Sequence, residues 1–293
     1  MSAATAMSRA QPGRKSRFVR HLPLHIAIGF ALIVWLEPTF ALLVSSFRPE
    51  YEVATTGWWT AFTAPFDFTL NLYQQALTSA GMGQSFLNSL FITIPATVIP
   101  ILIAAFAAFA FAWMEFAGRN VLFTAVVGLL VVPIQMTLIP VLRIYNVLHL
   151  TGTFPGIWLA HAAYGLPFAV YLLRNFIGGL PKDLLESAYL DGASPFTAFL
   201  RLVLPLSVPG IASLAIFQFL FVWNDLLVAL IYLGGYPSVA PMTVTISNLV
   251  NSLGGGWQLL TAAAFISMAL PLVVFLALQR YFVRGILAGS IKG

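Results

Sequence analysis

Apolar runs of about 20 residues, the length that crosses a bilayer as a helix, recur at residues 25–45, 89–113, 121–142, 156–173, 210–233 and 259–278. Polar or mixed segments separate them, so the pattern predicts an all-α, polytopic membrane protein with six spans. The third run contains Pro133 and Pro140 and is expected to be interrupted there. In the C-terminal half, the longest polar interruption between two apolar runs is residues 181–209, PKDLLESAYLDGASPFTAFLRLVLPLSVP. Pro181 suits a first helical position, and Asp183 and Glu186 follow in the first turns. Lys182 and Glu186 are spaced to pair across one turn. Gly192 stands where a left-handed residue ends a helix. Ser194–Pro195 reads as a new cap and first residue. Phe196, Phe199, Leu200, Val203 and Leu204 then fall on one face of a second helix. The stretch therefore predicts two short helices joined at a glycine corner and lying along the membrane surface.

Charge fixes the topology. All but two of the fourteen Lys and Arg residues, Arg48 and Arg143, fall in the termini and in the connections that share their side under a six-span arrangement. Basic residues mark the cytoplasmic face, so both termini and residues 181–209 are expected inside. The domains read as a basic cytoplasmic N-terminus at 1–22, a six-helix membrane domain at 23–279 and a cytoplasmic tail at 280–293. Residues 48–85, with Trp58 and Trp59, and residues 234–257, without an Asp, Glu, Lys or Arg, are expected as external loops. The basic start before the first run could also be a cleaved signal; the length of the run favours an uncleaved helix.

Composition narrows the chemistry. The chain is 60% hydrophobic and 8% charged, far from the roughly 25% charged residues of a soluble domain. With topology accounting for the basic residues, the net charge of +5 does not call for nucleic acid. Cysteine is absent, which removes thiolate chemistry and disulfides. No G-x-x-x-x-G-K-[ST] segment occurs, and Gly254–Gly255–Gly256 lacks the lysine of a phosphate-binding loop. The four histidines, His21, His25, His149 and His161, are scattered and show no metal-ligand spacing.

The stretch Glu186–Ser187–Ala188, Asp191–Gly192–Ala193 and Leu204–Pro205 resembles the EAA loop of the integral-membrane subunits of bacterial ABC importers. Ser187 and Leu202 stand where the family pattern has Ala and Ile. The alternative for this stretch is an ordinary amphipathic cytoplasmic loop. The resemblance runs from the first span to the last residue. It includes Ser46–Phe47–Arg48–Pro49–Glu50, Trp223–Asn224–Asp225 and the ending Gln279–Arg280–Tyr281–Phe282–Val283–Arg284–Gly285 with Ala288–Gly289–Ser290–Ile291–Lys292–Gly293, which is similar to carbohydrate permeases of the maltose and α-glucoside type. It implies a coupling helix that docks on a separate ATPase, a second and different permease subunit, two ATPase subunits that bind ATP and Mg, and an extracytoplasmic sugar-binding protein. It implies no cofactor and no catalysis on this chain, and a multi-pass location in the bacterial inner membrane. In the maltose-type subfamily the tail can insert between the ATPase subunits.

Polar groups inside the spans are the candidates for lining a pathway, because burying them in hydrocarbon is costly. They are Gln135 and Thr137 beside Pro133, His161, Tyr164 and Gly165 on the fourth span, and Gln218, Asn224 and Asp225 on the fifth. Gln218 and Asp225 are seven apart and expected near one helix face. For each, helix packing is the alternative, and for Asp225 it is the preferred one. Glu37, beside Pro38 in the first span, allows either a hydrated cavity or an internal hydrogen bond. The spans carry no Lys or Arg at their middles, which favours a neutral solute over an anion such as glycerol phosphate. An ion-coupled secondary transporter would instead show inverted repeats, and a membrane scaffold without transport would need no coupling motif.

Overall fold

The computed structural model describes residues 14–63, 66–249 and 256–290. The expectations for residues 1–13, for Gly254 and Gly255 and for the last three residues lie outside them. Every regular element among the described residues is helical. The chain divides into two compact units, Met1–Leu70 and Asn71–Gly293.

In the first unit, α1 (Arg14–Ser46) contains Pro23 and Pro38, and its 33 residues exceed what a bilayer core requires. The following connection is not an open loop. It folds into α2 (Glu50–Thr55) and a 3-10 helix (Trp58–Phe62). Arg48 organises it. Its side chain is buried and donates to the Gly57 carbonyl, the Glu52 carboxylate and the Thr56 and Thr60 hydroxyls. A buried cation needs such a set of acceptors, and four of them within twelve residues tie the segment into one piece.

The second unit begins with α3 (Asn71–Leu77) and α4 (Met82–Trp113). Next come α5 (Arg119–Gly128), a 3-10 turn (Leu129–Val131) and α6 (Ile134–Val147). The axis turns by 100° between the segments before and after Val132–Pro133. Proline cannot donate there and drives the preceding residue into an extended conformation; Val132 has φ −74° and ψ 116°. Thus the expected third span is a bent pair. α7 (Phe154–Gly178) starts at the Thr153 cap, whose hydroxyl accepts from the Gly156 N–H.

The expected fifth span differs most from the sequence reading. α11 (Val208–Trp223) stops at Asn224, and α12 (Leu227–Leu233) starts anew. The Asp225 carboxylate accepts from the N–H groups of Val228 and Ala229, which favours a fresh helix start over continuation. Four helices among the described residues are long and apolar enough to span a membrane, and the number rises to at most six where each of two bent pairs is counted as one span. The loop expected at 234–257 contains α13 (Met242–Ser247). It is fixed to the start of α4 by Ser85 against Thr245 at 2.6 Å, by Asn88 donating to the Ala240 carbonyl and by the Met242 N–H donating to Ser89. The last helix, α14 (Trp257–Ser290), runs past the expected sixth span, so up to Ser290 the tail is a helical extension.

α4 and α7 share two buried clusters rich in small residues, Ala96 with Ala160 in one and Ala104, Ala105 and Ala108 with Ala169 in the other. Small side chains let backbones approach where no water-driven collapse operates. Three tryptophans pin neighbours by donating to backbone carbonyls: Trp113 to Ile177, Trp158 to Phe91 and Trp223 to Ser267. One apolar cluster joins the first halves of α4 and α7 to α6, α12 and α13. The other joins their second halves to residues 185–214.

Candidate functional site

Residues 181–209 form the expected elbow. α8 (Lys182–Leu190) ends on Gly192, whose φ of +82° is left-handed. The Gly192 N–H donates to the Tyr189 carbonyl and the Ala193 N–H to the Ala188 carbonyl, both at 3.0 Å. This pair of bonds is a Schellman closure, so Ala188 and Ala193 are also the two ends of the bond that sets the corner. Sequence spacing predicts the corner but not the 188–193 bond, whose signal is the five-residue interval across the glycine. The Ser194 hydroxyl then caps the next turn by accepting from the Thr197 N–H. α9 (Pro195–Ala198) leads through a π-helical turn (Phe199–Val203) into α10 (Leu204–Leu206). Between Pro195–Leu206 and Val208–Trp223 the chain bends by 71°.

The elbow has a buried side and an exposed side. Leu185, Ala198, Phe199 and Val203 are buried, and Phe199 packs on Phe106 and Phe109 of α4 at centroid distances of 4.8 and 5.2 Å. Glu186, Ser187, Asp191, Gly192 and Pro205 are exposed, whereas Ala188, Ala193 and Leu204 are half-buried. The expected apolar face is only partly realised. Phe196 is 61% exposed and Leu200 also faces outward, because the wider π turn breaks the regular helical register. Leu190, 88% exposed, leaves an apolar knob beside the corner. The expected Lys182–Glu186 pair does not form among the described residues.

A second polar region lies where α4, α6, α7, α11 and α12 meet. Gln218 is 3% exposed, and its amide nitrogen donates to the Ala96 and His161 carbonyls at 3.1 and 3.4 Å. Gly165 faces it, and a methyl group there would collide with the Gln218 amide. The Tyr164 hydroxyl lies 3.0 Å from that of Thr137 and 2.7 Å from that of Tyr232. His161 is buried, with Nε2 3.7 Å from the Asp225 carboxylate. Tyr164, Gly165, Gln218 and Thr137 line a cleft of about 480 Å³, walled by Phe168, Phe217 and Phe221. Gln135 and Asn224 are exposed and not among its lining residues; Asn224 donates to the Leu220 carbonyl in its own helix. Asp225 is turned to the α12 backbone. The break at Asn224 removes the shared helix face expected for Gln218 and Asp225.

The chain is 61% identical over 282 residues to the osmoprotective compounds uptake permease protein of Synechocystis sp., covering 95% of each. It is 55% identical over 270 residues to the alpha-glucoside transport system permease protein of Rhizobium meliloti, covering 90% of this chain and 70% of that one. In structure it is similar to a chain of a bacterial ABC transporter involved in the import of the acidic polysaccharide alginate. The TM-score is 0.77 with 19% identity, over 93% of this chain and 99% of the other. Residues 86–288 match the family of binding-protein-dependent transport system inner membrane components. The chain belongs to that family and is a permease subunit of an ABC importer, a transport component rather than an enzyme.

Proposed function

We propose that this permease carries a neutral sugar, such as an α-glucoside, through a pathway it shares with a second, different permease subunit. Two ATPase subunits bind ATP and Mg and supply the work, and an extracytoplasmic sugar-binding protein delivers the solute. The chain itself takes no cofactor. Both termini and the elbow lie in the cytoplasm, and lipid surrounds the bundle. The observation that carries this reading is the elbow: one side is fixed to α4, and the other presents Glu186, Ser187, Asp191 and Gly192 outward beside the Leu190 knob. A surface of that form suits docking on an ATPase subunit, with Ala188 and Ala193 admitting close approach and Leu204–Pro205 leading the helix back to the membrane. Closure of the ATPase pair on ATP would carry the elbow as a rigid body and switch the access of the pathway. The alpha-glucoside relative and the uncharged lining of the cleft support a neutral sugar.

Uptake tests it. Proteoliposomes holding the whole importer should accumulate labelled maltose, trehalose or sucrose when the ATPase subunits have access to ATP and the binding protein is outside, but not with an ion gradient alone. Import of glycerol phosphate with no sugar uptake would reject the sugar reading. Because the chain has no native cysteine, Ser187→Cys gives a unique thiol. It should crosslink to an ATPase subunit; labelling of that thiol only from the external face would reject the topology and the docking role together.

A further inference from the structure

We propose that the cleft between α6, α7 and α11 is a glycosyl subsite whose polar wall offers hydrogen-bond acceptors and holds back its donors, so that it selects uncharged polyhydroxylated solutes. The inference rests on the reading of the chain as a sugar permease and assigns that role to particular side chains. The protons of the wall can be counted. A primary amide has two N–H donors, and both of Gln218 are directed to the backbone carbonyls of Ala96 and His161. Its carbonyl oxygen is left as an acceptor. Each hydroxyl has one proton and two acceptor sites. The Thr137, Tyr164 and Tyr232 hydroxyls make three contacts, Thr137 with the Ile134 carbonyl, Thr137 with Tyr164, and Tyr164 with Tyr232. With the Thr137 proton on the Ile134 carbonyl, Tyr164 donates to Thr137 and Tyr232 to Tyr164, which uses all three protons and leaves lone pairs over. A ligand that satisfies this wall must bring O–H or N–H groups of its own.

Three further features narrow the class. Among the described residues no Asp, Glu, Lys or Arg lines the cleft, so an anionic solute finds no counter-charge there. Phe168 and Phe217 meet edge to face at 5.9 Å and, with Phe221, give apolar surface for the C–H faces of a pyranose. The volume of about 480 Å³ lies within the range of small-molecule sites, which also combine apolar walls with a few placed polar groups. A lipid chain would leave the acceptors unmatched in hydrocarbon, where unpaired polar groups are costly.

The test uses the complete importer in proteoliposomes, with labelled maltose, trehalose and sucrose, and glycine betaine as a solute without hydroxyl donors. Tyr164→Phe combined with Thr137→Val removes two acceptors at nearly constant volume. It should lower uptake of the preferred sugar by about tenfold, while ATP hydrolysis stimulated by the binding protein stays within about twofold. Tyr171→Phe removes a hydroxyl from α7 that is not among the residues lining the cleft and should cost under about twofold. A Thr137→Cys thiol, unique in this chain, should react with a small water-soluble thiosulfonate reagent and be protected by the imported sugar. If the wild-type importer takes up no sugar, the sugar reading falls and the subsite falls with it. If it takes up sugar and the double variant does so normally, or loses uptake no more than Tyr171→Phe does, or if the thiol is unreactive, the subsite alone is overturned.

Discussion

Gly192 holds a backbone torsion that other residues adopt at a cost of roughly 1–2 kcal/mol. Nothing lies within 4 Å of a methyl group built on it, so the constraint there is conformational and not steric. An Asp at this position tolerates the left-handed region better than most residues, and the subunit should stay folded. The new carboxylate would stand on the exposed corner between Asp191 and Ala193, where the ATPase is proposed to dock. Gly192→Asp should therefore abolish sugar uptake while the purified importer keeps its subunit stoichiometry on gel filtration. Gly192→Ala, with torsional strain and no charge, should fall in between. Normal uptake by a well-expressed Gly192→Asp variant would remove the corner from the coupling surface. Gly165 is constrained in the opposite way. Its torsion is ordinary, and what it supplies is the space that Gln218 fills.

At the level of elements, the break between α11 and α12 shows what hydropathy leaves out. Residues 210–233 read as one apolar run, and apolar content does not distinguish an unbroken helix from two pieces whose ends are satisfied by side chains. The end of α11 and the start of α12 depend on Asp225 reaching the N–H groups of Val228 and Ala229 and on Thr243 donating to the Asp225 carbonyl, a contact across eighteen residues. The same limit hid α13, which has no polarity contrast of its own and is held by Ser85, Asn88 and Ser89 of α4. By contrast, the elbow was legible because proline, glycine and serine act within a turn or two of themselves. The cleft was half legible. A polar residue in an apolar span flags Tyr164 and Gln218, but whether Gln135 shares their cleft depends on the bend at Pro133. The Asp225 cap makes a definite prediction. Asp225→Asn keeps one of the two accepting oxygens and should leave uptake near wild type with a loss of thermal stability smaller than that of the alanine variant. Asp225→Ala should lose about 1 kcal/mol and lower both. Full stability with abolished uptake in Asp225→Asn would instead assign the carboxylate charge a part in transport.

Across the whole second unit, the two apolar clusters suggest how work could pass through it. The cluster around the elbow and the one around α12 and α13 are both built on α4 and α7, so those two helices are the elements common to both ends. If the elbow takes up force from the ATPase, as proposed, that force enters the bundle where Phe199 sits against Phe106 and Phe109. Removing that ring should loosen the joint before it affects the distant cleft. Phe199→Ala deletes a side chain only 2% exposed and should cost about 3–5 kcal/mol; Phe199→Leu fills most of the space and should cost less. If the joint transmits force, the alanine variant hydrolyses more ATP for each sugar imported, and the leucine variant restores much of the ratio. The measurement is paired ATPase and uptake assays on the same proteoliposomes, with a melting curve of each purified complex. A fall in melting temperature at an unchanged ATP-to-sugar ratio would make Phe199 a packing residue only and move the site of transmission elsewhere on the elbow.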